Sequence, residues 1–451
     1  MLKPYAKYKE TPALWLNSIP DHWESHKIRE LFVERSEKVS DKDYSPLSVS
    51  KAGVVPQIAT VAKTNNGDNR KLVRKGDFVI NSRSDRRGSS GISNYDGSVS
   101  LINIVLKPRS FVNGRYMHYL LKSHYFIEEF YRNGRGIVAD LWTTRYTEMK
   151  SIYLPVPSIE EQNQIVRFLD WKLAKINKLI RAKKKQIALL NEQRQVIIHN
   201  AVTKGVDPNV MMKDSGIEWI GQVPSHWKIY RNKNIFTLRK ETVGESSKDY
   251  TLLSLTTNGI IPRDIESGKG KFPSDFSTYQ KVYSGDFVFC LFDIDETPRT
   301  VGLSSYEGMI TGAYTVMNPK NADSLFIYYY YLSLDNKKAL KPLYTGLRKV
   351  INTDVFLRSK IALPDINEQK QIVNYIENKI NSINKAMYVI HSEISLLTEY
   401  RIRLISDVVT GKVDVRDIEI PEYEADSDET IDDEIDDNLV LDEEDGEMEV
   451  E

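Results

Sequence analysis

Pro157-Ser158-Ile159-Glu160-Glu161-Gln162 opens a stretch that closes on Ala201-Val202-Thr203-Lys204-Gly205, and the chain writes this stretch twice. The second copy begins Pro364-Asp365-Ile366-Asn367-Glu368-Gln369, ends Val408-Val409-Thr410-Gly411-Lys412, and aligns without a gap at an offset of 207 residues. Each copy reads as one long helix. Pro157 and Pro364 stand where a first turn tolerates proline, and Glu160, Glu161 and Glu368 fall where the helix dipole favours carboxylates. Apolar residues then recur at alternating steps of four and three. In the first copy these are Val166, Leu169, Leu173, Ile176, Ile180, Ile187, Leu190, Ile197 and Ala201. In the second they are Val373, Ile376, Ile380, Ile383, Met387, Ile390, Ile394, Leu397, Leu404 and Val408. A heptad seam of that length is the mark of a coiled coil, and about 43 residues at 1.5 Å each make a rod of roughly 65 Å. Arg194 and Arg401 interrupt the two seams at equivalent points, a polar break of the kind that fixes register. A lone helix with one apolar stripe is unstable, so the two stripes are expected to bury each other.

The duplication extends beyond the helices. Trp15-Leu16-Asn17-Ser18-Ile19-Pro20-Asp21-His22-Trp23 parallels Trp219-Ile220-Gly221-Gln222-Val223-Pro224-Ser225-His226-Trp227, and the match continues to Phe32 and Phe236. A unit of about 205 residues is therefore repeated. Between each Pro-x-His-Trp element and its rod lies a variable block, about 33–153 and 237–361. The blocks share Gly76-Asp77-Phe78-Val79 and Gly285-Asp286-Phe287-Val288, a turn-to-strand step. Each then carries a Gly- and Ser-rich loop, a short apolar strand (101–106; 314–317) and a helix (116–131; 325–334). The run Tyr328-Tyr329-Tyr330-Tyr331, lying in a helix, reads as core plus rim rather than as an aromatic platform. Each block is expected to be a mixed α/β globule.

Charge supplies the next constraint. Residues 418–451 hold 18 Asp and Glu and no Lys or Arg, which leaves 45 acidic against 62 basic residues elsewhere, a net of +17. A body that basic suits a polyanion, nucleic acid above all. The acidic tail, poor in aromatics and without periodicity, reads as disordered and solubilising. The single cysteine, Cys290, excludes a disulfide framework and is expected to be buried. No run of 18 apolar residues offers a membrane span, and the polar start of the chain lacks an apolar signal core, so a cytoplasmic protein is expected.

The loops are where the blocks differ. The first carries Lys63, Asn65, Asn66, Asn69 and Arg70, then Arg83, Arg86 and Arg87; the second carries Lys269, Lys271, Thr297 and Arg299. Arg forks onto guanine, Asn pairs with adenine, and Lys and Ser hold phosphates. Polar loops are also polar simply because they are solvated, and residue by residue that reading competes; for Arg83, Arg86 and Arg87 as a group, DNA contact is the reading taken. Catalytic patterns are missing. Gly268-Lys269-Gly270-Lys271 lacks the spacing and the Ser/Thr of a phosphate loop, and no Asn-Pro-Pro-Tyr methylation motif occurs. The letters Pro364-Asp365…Glu368…Lys370 mimic a nuclease signature but are crowded into a helix start. The seven His are scattered, so neither a metal nor a cofactor is expected.

In this order the motifs resemble the specificity subunit of type I restriction-modification systems. The residues that carry the likeness are Pro20-Asp21-His22-Trp23 and Pro224-Ser225-His226-Trp227, the Gly-Asp-Phe-Val steps, the Glu161-Gln162 and Glu368-Gln369 helix starts, and the helix ends at Thr203 and Thr410; it covers about 1–416. The resemblance implies an α+β chain in which two target recognition domains are held apart by two long antiparallel coiled-coil helices. The expected partition is recognition domain one at 1–155, a spacer helix at 156–204, recognition domain two at 205–362, a second spacer helix at 363–412, and the tail at 413–451. It implies partners too: double-stranded DNA read as a bipartite, asymmetric site, two methyltransferase subunits, and restriction/translocase subunits. Adenine methylation and ATP-dependent cleavage would belong to those partners. Arg194, Arg401, Gln162 and Gln369 are expected to serve partner docking or spacing. Two-fold related readers would place half-sites about one helical turn, roughly 34 Å, apart. The competing reading is a non-catalytic coiled-coil scaffold with two protein-binding domains.

Overall fold

A computed structural model of the protein describes residues 2–57, 67–136, 142–263, 275–345 and 349–423. The expected α+β architecture is present, with the two long helices spanning Ile159–Lys204 and Ile366–Val409. Their caps explain the repeated starts. Ser158 Oγ accepts from the Glu161 N–H at 3.3 Å; Asp365 Oδ1 accepts from the Asn367 and Glu368 N–H groups at 2.9 and 3.1 Å. Pro157 and Pro364 therefore lie one residue outside the cap, not within the first turn, where they stop the helix from extending backward. The helices end at Gly205 (φ 74°) and near Gly411 (φ 77°), the left-handed C-terminal conformation that favours glycine.

The described residues divide into two compact units, and the division falls inside both long helices. One unit takes residues up to Lys184 together with those from His391 onward; the other is Lys185–Ile390. Each unit thus holds the first half of one long helix and the second half of the other. Within the first unit the two half-helices run antiparallel: Lys183 Nζ pairs with Glu393, while Gln164 Nε2 donates to the carbonyls of Val415 and Ile418 at 3.0 and 2.8 Å. In the second unit Ile198, Ala201 and Val202 share a core with Ile372, Val373 and Ile376. The seam is uneven. Val166, Leu169, Leu173, Ile176 and Ile180 are buried, whereas Ile187, Leu190 and Ile197 are half-buried.

The main sheet and a flanking hairpin of the recognition block recur in both units. In the first unit a four-stranded antiparallel sheet runs Ser90–Ile92, Phe78–Asn81, Asn103–Pro108, Phe32–Glu34. In the second the same order reads Val301–Leu303, Phe287–Phe289, Thr315–Pro319, Phe236–Leu238. The hairpin of Leu47–Ser50 with Gly53–Pro56 corresponds to Leu253–Thr256 with Gly259–Pro262. The Gly-Asp-Phe-Val step is now explained. Gly76 (φ 92°) and Gly285 (φ 88°) make the turn, and Phe78 and Phe287 are fully buried. The buried Asp77 and Asp286 each take a guanidinium, Arg35 Nε at 2.6 Å and Arg239 Nε at 2.7 Å, and cap their own turn through the Arg74 and Tyr283 N–H groups. The helix expected at 116–131 is two, Gly114–Leu121 and His124–Arg132, because Ser123 caps the second with its hydroxyl. The helix expected at 325–334 spans Ser324–Asn336; Tyr330 and Tyr331 are buried in its core face and Tyr328 and Tyr329 sit at the margin. Cys290 is buried. No helix among the described residues is long and apolar enough to cross a membrane.

Candidate nucleic-acid interface

The arginine loop joins strands Phe78–Asn81 and Ser90–Ile92 through a single 3-10 turn, Ser84–Arg86. Arg83, Arg86 and Arg87 are all exposed on it. The backbone beneath them is fixed from several sides. The Arg83 N–H donates to Asn81 Oδ1 at 3.1 Å, the Ser84 N–H to the Trp142 carbonyl at 3.1 Å, and the Tyr131 hydroxyl to the Arg83 carbonyl at 3.1 Å. Trp142 in turn donates its indole N–H to the Tyr131 carbonyl at 2.8 Å and crowds Gly134, where an added Cβ would sit 2.3 Å from the indole nitrogen. Ser84, Arg87, Tyr131 and Trp142 line a cleft of about 320 Å³. Burial pushes the Tyr131 hydroxyl up to about 12. Guanidinium groups on a rigid turn beside aromatic walls are suited to phosphate oxygens and base edges.

The matching connection of the second unit, between Phe287–Phe289 and Val301–Leu303, has the opposite charge. It carries Asp293, Asp295 and Glu296 against the single Arg299, and the cations that meet the acidic group come from a later segment: Lys349 pairs with Glu296 and lies 3.2 Å from Asp295, with Lys341 at 3.9 Å. The Tyr344 hydroxyl donates to Asp295 Oδ1 at 2.9 Å.

Other residues expected at the interface are placed elsewhere. Arg70 is buried, donating to the Ser98 hydroxyl and carbonyl at 2.9 Å each, and burial lowers its pKa; it belongs to the packing of a strand, not to a surface. Asn69 is half-buried beside it. Thr297 is 2% exposed, and its carbonyl accepts from Lys338 Nζ at 2.6 Å. Arg299 is turned inward onto Asp335 and Asn336, at 3.0 and 3.2 Å. These three corrections share a cause: a Gly-flanked polar run also forms where a loop ties itself to its own globule. Lys63, Asn65, Asn66, Lys269 and Lys271 lie outside the described residues.

Gln162 and Gln369 are buried, and their amides are used within the chain. Gln162 Nε2 donates to the Pro157 carbonyl at 2.9 Å and its Oε1 accepts from the Asn113 N–H at 2.8 Å. Gln369 repeats this with the Pro364 carbonyl and the Asp323 N–H, at 2.9 and 2.7 Å. Each glutamine thereby ties a long helix to the cap residue of a recognition-block helix, Asn113 or Asp323. Arg401 is buried and Arg194 half-buried, so the repeated arginine occupies two different environments.

One pair of sites was missed from the sequence. Glu161 accepts from the Trp23 indole N–H at 3.0 Å and the Tyr5 hydroxyl at 2.7 Å, and lies 2.8 Å from His22 Nε2. Glu368 holds Trp227 and His226 at 3.0 and 2.8 Å. The signal lies in the sequence: Glu161 with His22-Trp23 recurs as Glu368 with His226-Trp227. Gly411 closes the first joint, with a built Cβ only 2.4 Å from Pro20 Cδ.

The chain matches the type I restriction modification DNA specificity domain twice, over residues 20–189 and 224–389. It is 26% identical over 296 residues to the type I restriction enzyme MjaVIII specificity subunit of Methanocaldococcus jannaschii, a match covering 60% of this chain and 64% of that subunit, a little under two thirds. It is 21% identical over 436 residues to the putative type I restriction enzyme MjaX specificity subunit of the same organism, covering 89% and 96% of the two chains. A solved chain from work on complex assembly and conformational transition of the type I R-M system superposes with a TM-score of 0.65 at 13% identity, covering 88% of this chain and 99% of that one. With the domain present twice over most of its length, the chain belongs to the family of type I restriction-modification DNA specificity proteins.

Proposed function

We propose that the protein reads a bipartite DNA sequence for a type I restriction-modification enzyme, one half-site per unit, and that methylation and cleavage are performed by other subunits. The observation that carries this reading is the contrast between the two units. The strand order is the same in both, but the connection that bears Arg83, Arg86 and Arg87 in one bears Asp293, Asp295 and Glu296 in the other. An asymmetric DNA site requires two chemically distinct readers, and the inversion of charge supplies them.

The long helices are the proposed platform for two methyltransferase subunits, with restriction and translocase subunits joining outside them, and Arg194 and Arg401 as spacing residues. Exposed apolar side chains favour this use: Leu189, Val196, Tyr388 and Val389 on the helix segments of the second unit, and Leu396 and Tyr400 on those of the first. The enzyme would act in the cytoplasm of a bacterium or archaeon. Methylome sequencing of cells expressing the chain with the methyltransferase encoded beside it is the test. The expected result is one bipartite motif methylated on adenine. A chain expressed and bound to its methylase that leaves no such motif would refute the proposal and favour the protein-binding scaffold.

A further inference from the structure

Two of the three cations on the arginine loop, Arg83 and Arg87, are held in ion pairs. Arg87 is paired with Glu128, a residue of the neighbouring helix His124–Arg132, and its guanidinium also lies over the Tyr131 ring, 5.3 Å from the centroid. Arg83 Nε lies 2.9 Å from Asp85 Oδ1. Glu128 and Arg87 are each about half exposed, 49% and 49%, at the rim of a second cleft of about 440 Å³ whose lining includes Trp15, Tyr125 and Tyr131. His124 Nδ1 stands 3.9 Å from the same carboxylate. The second unit shows the same device with other residues. There Lys349 is held by Glu296, whose side chain is 70% exposed.

Two kinds of ion pair are thus present. The buried Arg35–Asp77 and Arg239–Asp286 pairs are structural: the carboxylates are 3% and 0% exposed and receive backbone N–H donors as well. Exposed pairs such as Arg87–Glu128 are weak, worth about 0–1 kcal/mol, and exchange readily. A carboxylate occupying a guanidinium at the site proposed for DNA is a phosphate surrogate. Resting on the DNA-reading proposal above, we infer that Glu128 limits the affinity of this loop for DNA: it occupies Arg87 in the absence of DNA and must be displaced before Arg87 can engage the duplex. Any sequence offers phosphates, so the surrogate penalises every duplex equally. Only a duplex whose base edges or shape add further contacts to the loop makes up the difference. The ratio of affinities for right and wrong half-sites is unchanged; what falls is the occupancy of non-cognate duplexes at a given concentration.

Binding of the full chain to a short duplex of arbitrary sequence, followed by fluorescence anisotropy over a series of NaCl concentrations, tests this. Glu128→Gln is expected to tighten binding about two- to fivefold, the factor equivalent to an exposed pair. It should also steepen the dependence of log K on log salt by up to about one, the value of one added phosphate contact. Glu128→Ala should act in the same direction. Arg87→Gln should weaken binding, and adding Glu128→Gln to it should change nothing further. The inference is overturned if Glu128→Gln leaves affinity and slope unchanged while Arg87→Gln weakens binding. It is overturned equally if Glu128→Gln tightens binding as much without Arg87 as with it, which would make the effect one of general charge. If Arg87→Gln itself has no effect, the assignment of this loop to DNA fails, and the inference with it.

Discussion

Removing the carboxylate of Glu161 should damage the first unit more than removing that of Glu368 damages the second. Glu161 is 6% exposed and receives the Tyr5 hydroxyl at 2.7 Å and the Trp23 indole at 3.0 Å, from residues that are 4% and 0% exposed. In Glu161→Ala both donors are stranded away from water. Each costs about 1–3 kcal/mol, so the loss should fall at about 2–6 kcal/mol. His22, 43% exposed, turns to solvent and adds little. In the second unit only the Trp227 indole is stranded, since His226 is 50% exposed, and Glu368→Ala should cost about 1–3 kcal/mol. For a unit of this size each kcal/mol moves the melting midpoint by about 2–4 °C. Urea titration of the full chain read by amide hydrogen exchange separates the units, because Phe78–Asn81 and Asn103–Pro108 report on one and Phe287–Phe289 and Thr315–Pro319 on the other. Tyr5→Phe removes one stranded donor and should restore part of the stability lost in Glu161→Ala. Equal losses in the two glutamate variants, or a loss below about 1 kcal/mol for Glu161→Ala, would refute the account of the joint.

Three further outcomes are expected. Gly411→Ala should destabilise the first unit well beyond the effect of Gly205→Ala on the second: both carry the left-handed penalty of about 1–2 kcal/mol, but the new Cβ meets Pro20 Cδ at 2.4 Å in one and nothing nearer than 3.6 Å in the other, and paired melting curves compare them. Arg299→Ala should cost about 1.5–3 kcal/mol of stability, the value of a hydrogen bond to a charged group, lower the melting midpoint accordingly, and leave the methylated motif unchanged; a changed motif would restore Arg299 to the interface. The third concerns acid. Burial, and then Lys122 and Arg115, hold His118 well below the usual imidazole pKa, with its Nδ1 accepting from the Ile92 N–H at 3.3 Å. The folded state therefore favours neutral His118, and the unfolded chain takes up the proton first as pH falls. Its contribution is complete above about pH 6.5 and declines below it, by less than about 1.4 kcal/mol per pH unit. Urea midpoints of the first unit at pH 7.5 and 5.5 should differ more in the wild type than in His118→Gln; an equal difference would show that another group is responsible.

The duplicated architecture is written in the sequence because it rests on local rules. A seven-residue apolar period, a Pro-Ser or Pro-Asp start and a Gly end specify a long helix wherever they occur, and two aligned copies specify a duplicated unit. The Gly-Asp-Phe-Val strands and the buried half of the tyrosine run were legible for the same reason. What each polar side chain does was not. Arg70, Thr297 and Arg299 have the composition of DNA-contacting loops and are turned inward, whereas Arg83, Arg86 and Arg87 have the same composition and face outward. A guanidinium turns inward where the group from another element that meets it is itself buried, as Asp335 and Ser98 are and Glu128 is not. Asp335 reaches Arg299 from 36 residues away, and Ser98 reaches Arg70 from 28. Glu161, Gln162, Glu368 and Gln369 make the point from the other side. Their repetition is visible in the sequence, but that they tie each long helix to a recognition block is a consequence of residues 46 to 142 positions apart being brought together by folding. Periodicity determined the helices and the duplication; only the tertiary fold decided which of the polar residues hold the protein together and which remain exposed for a partner.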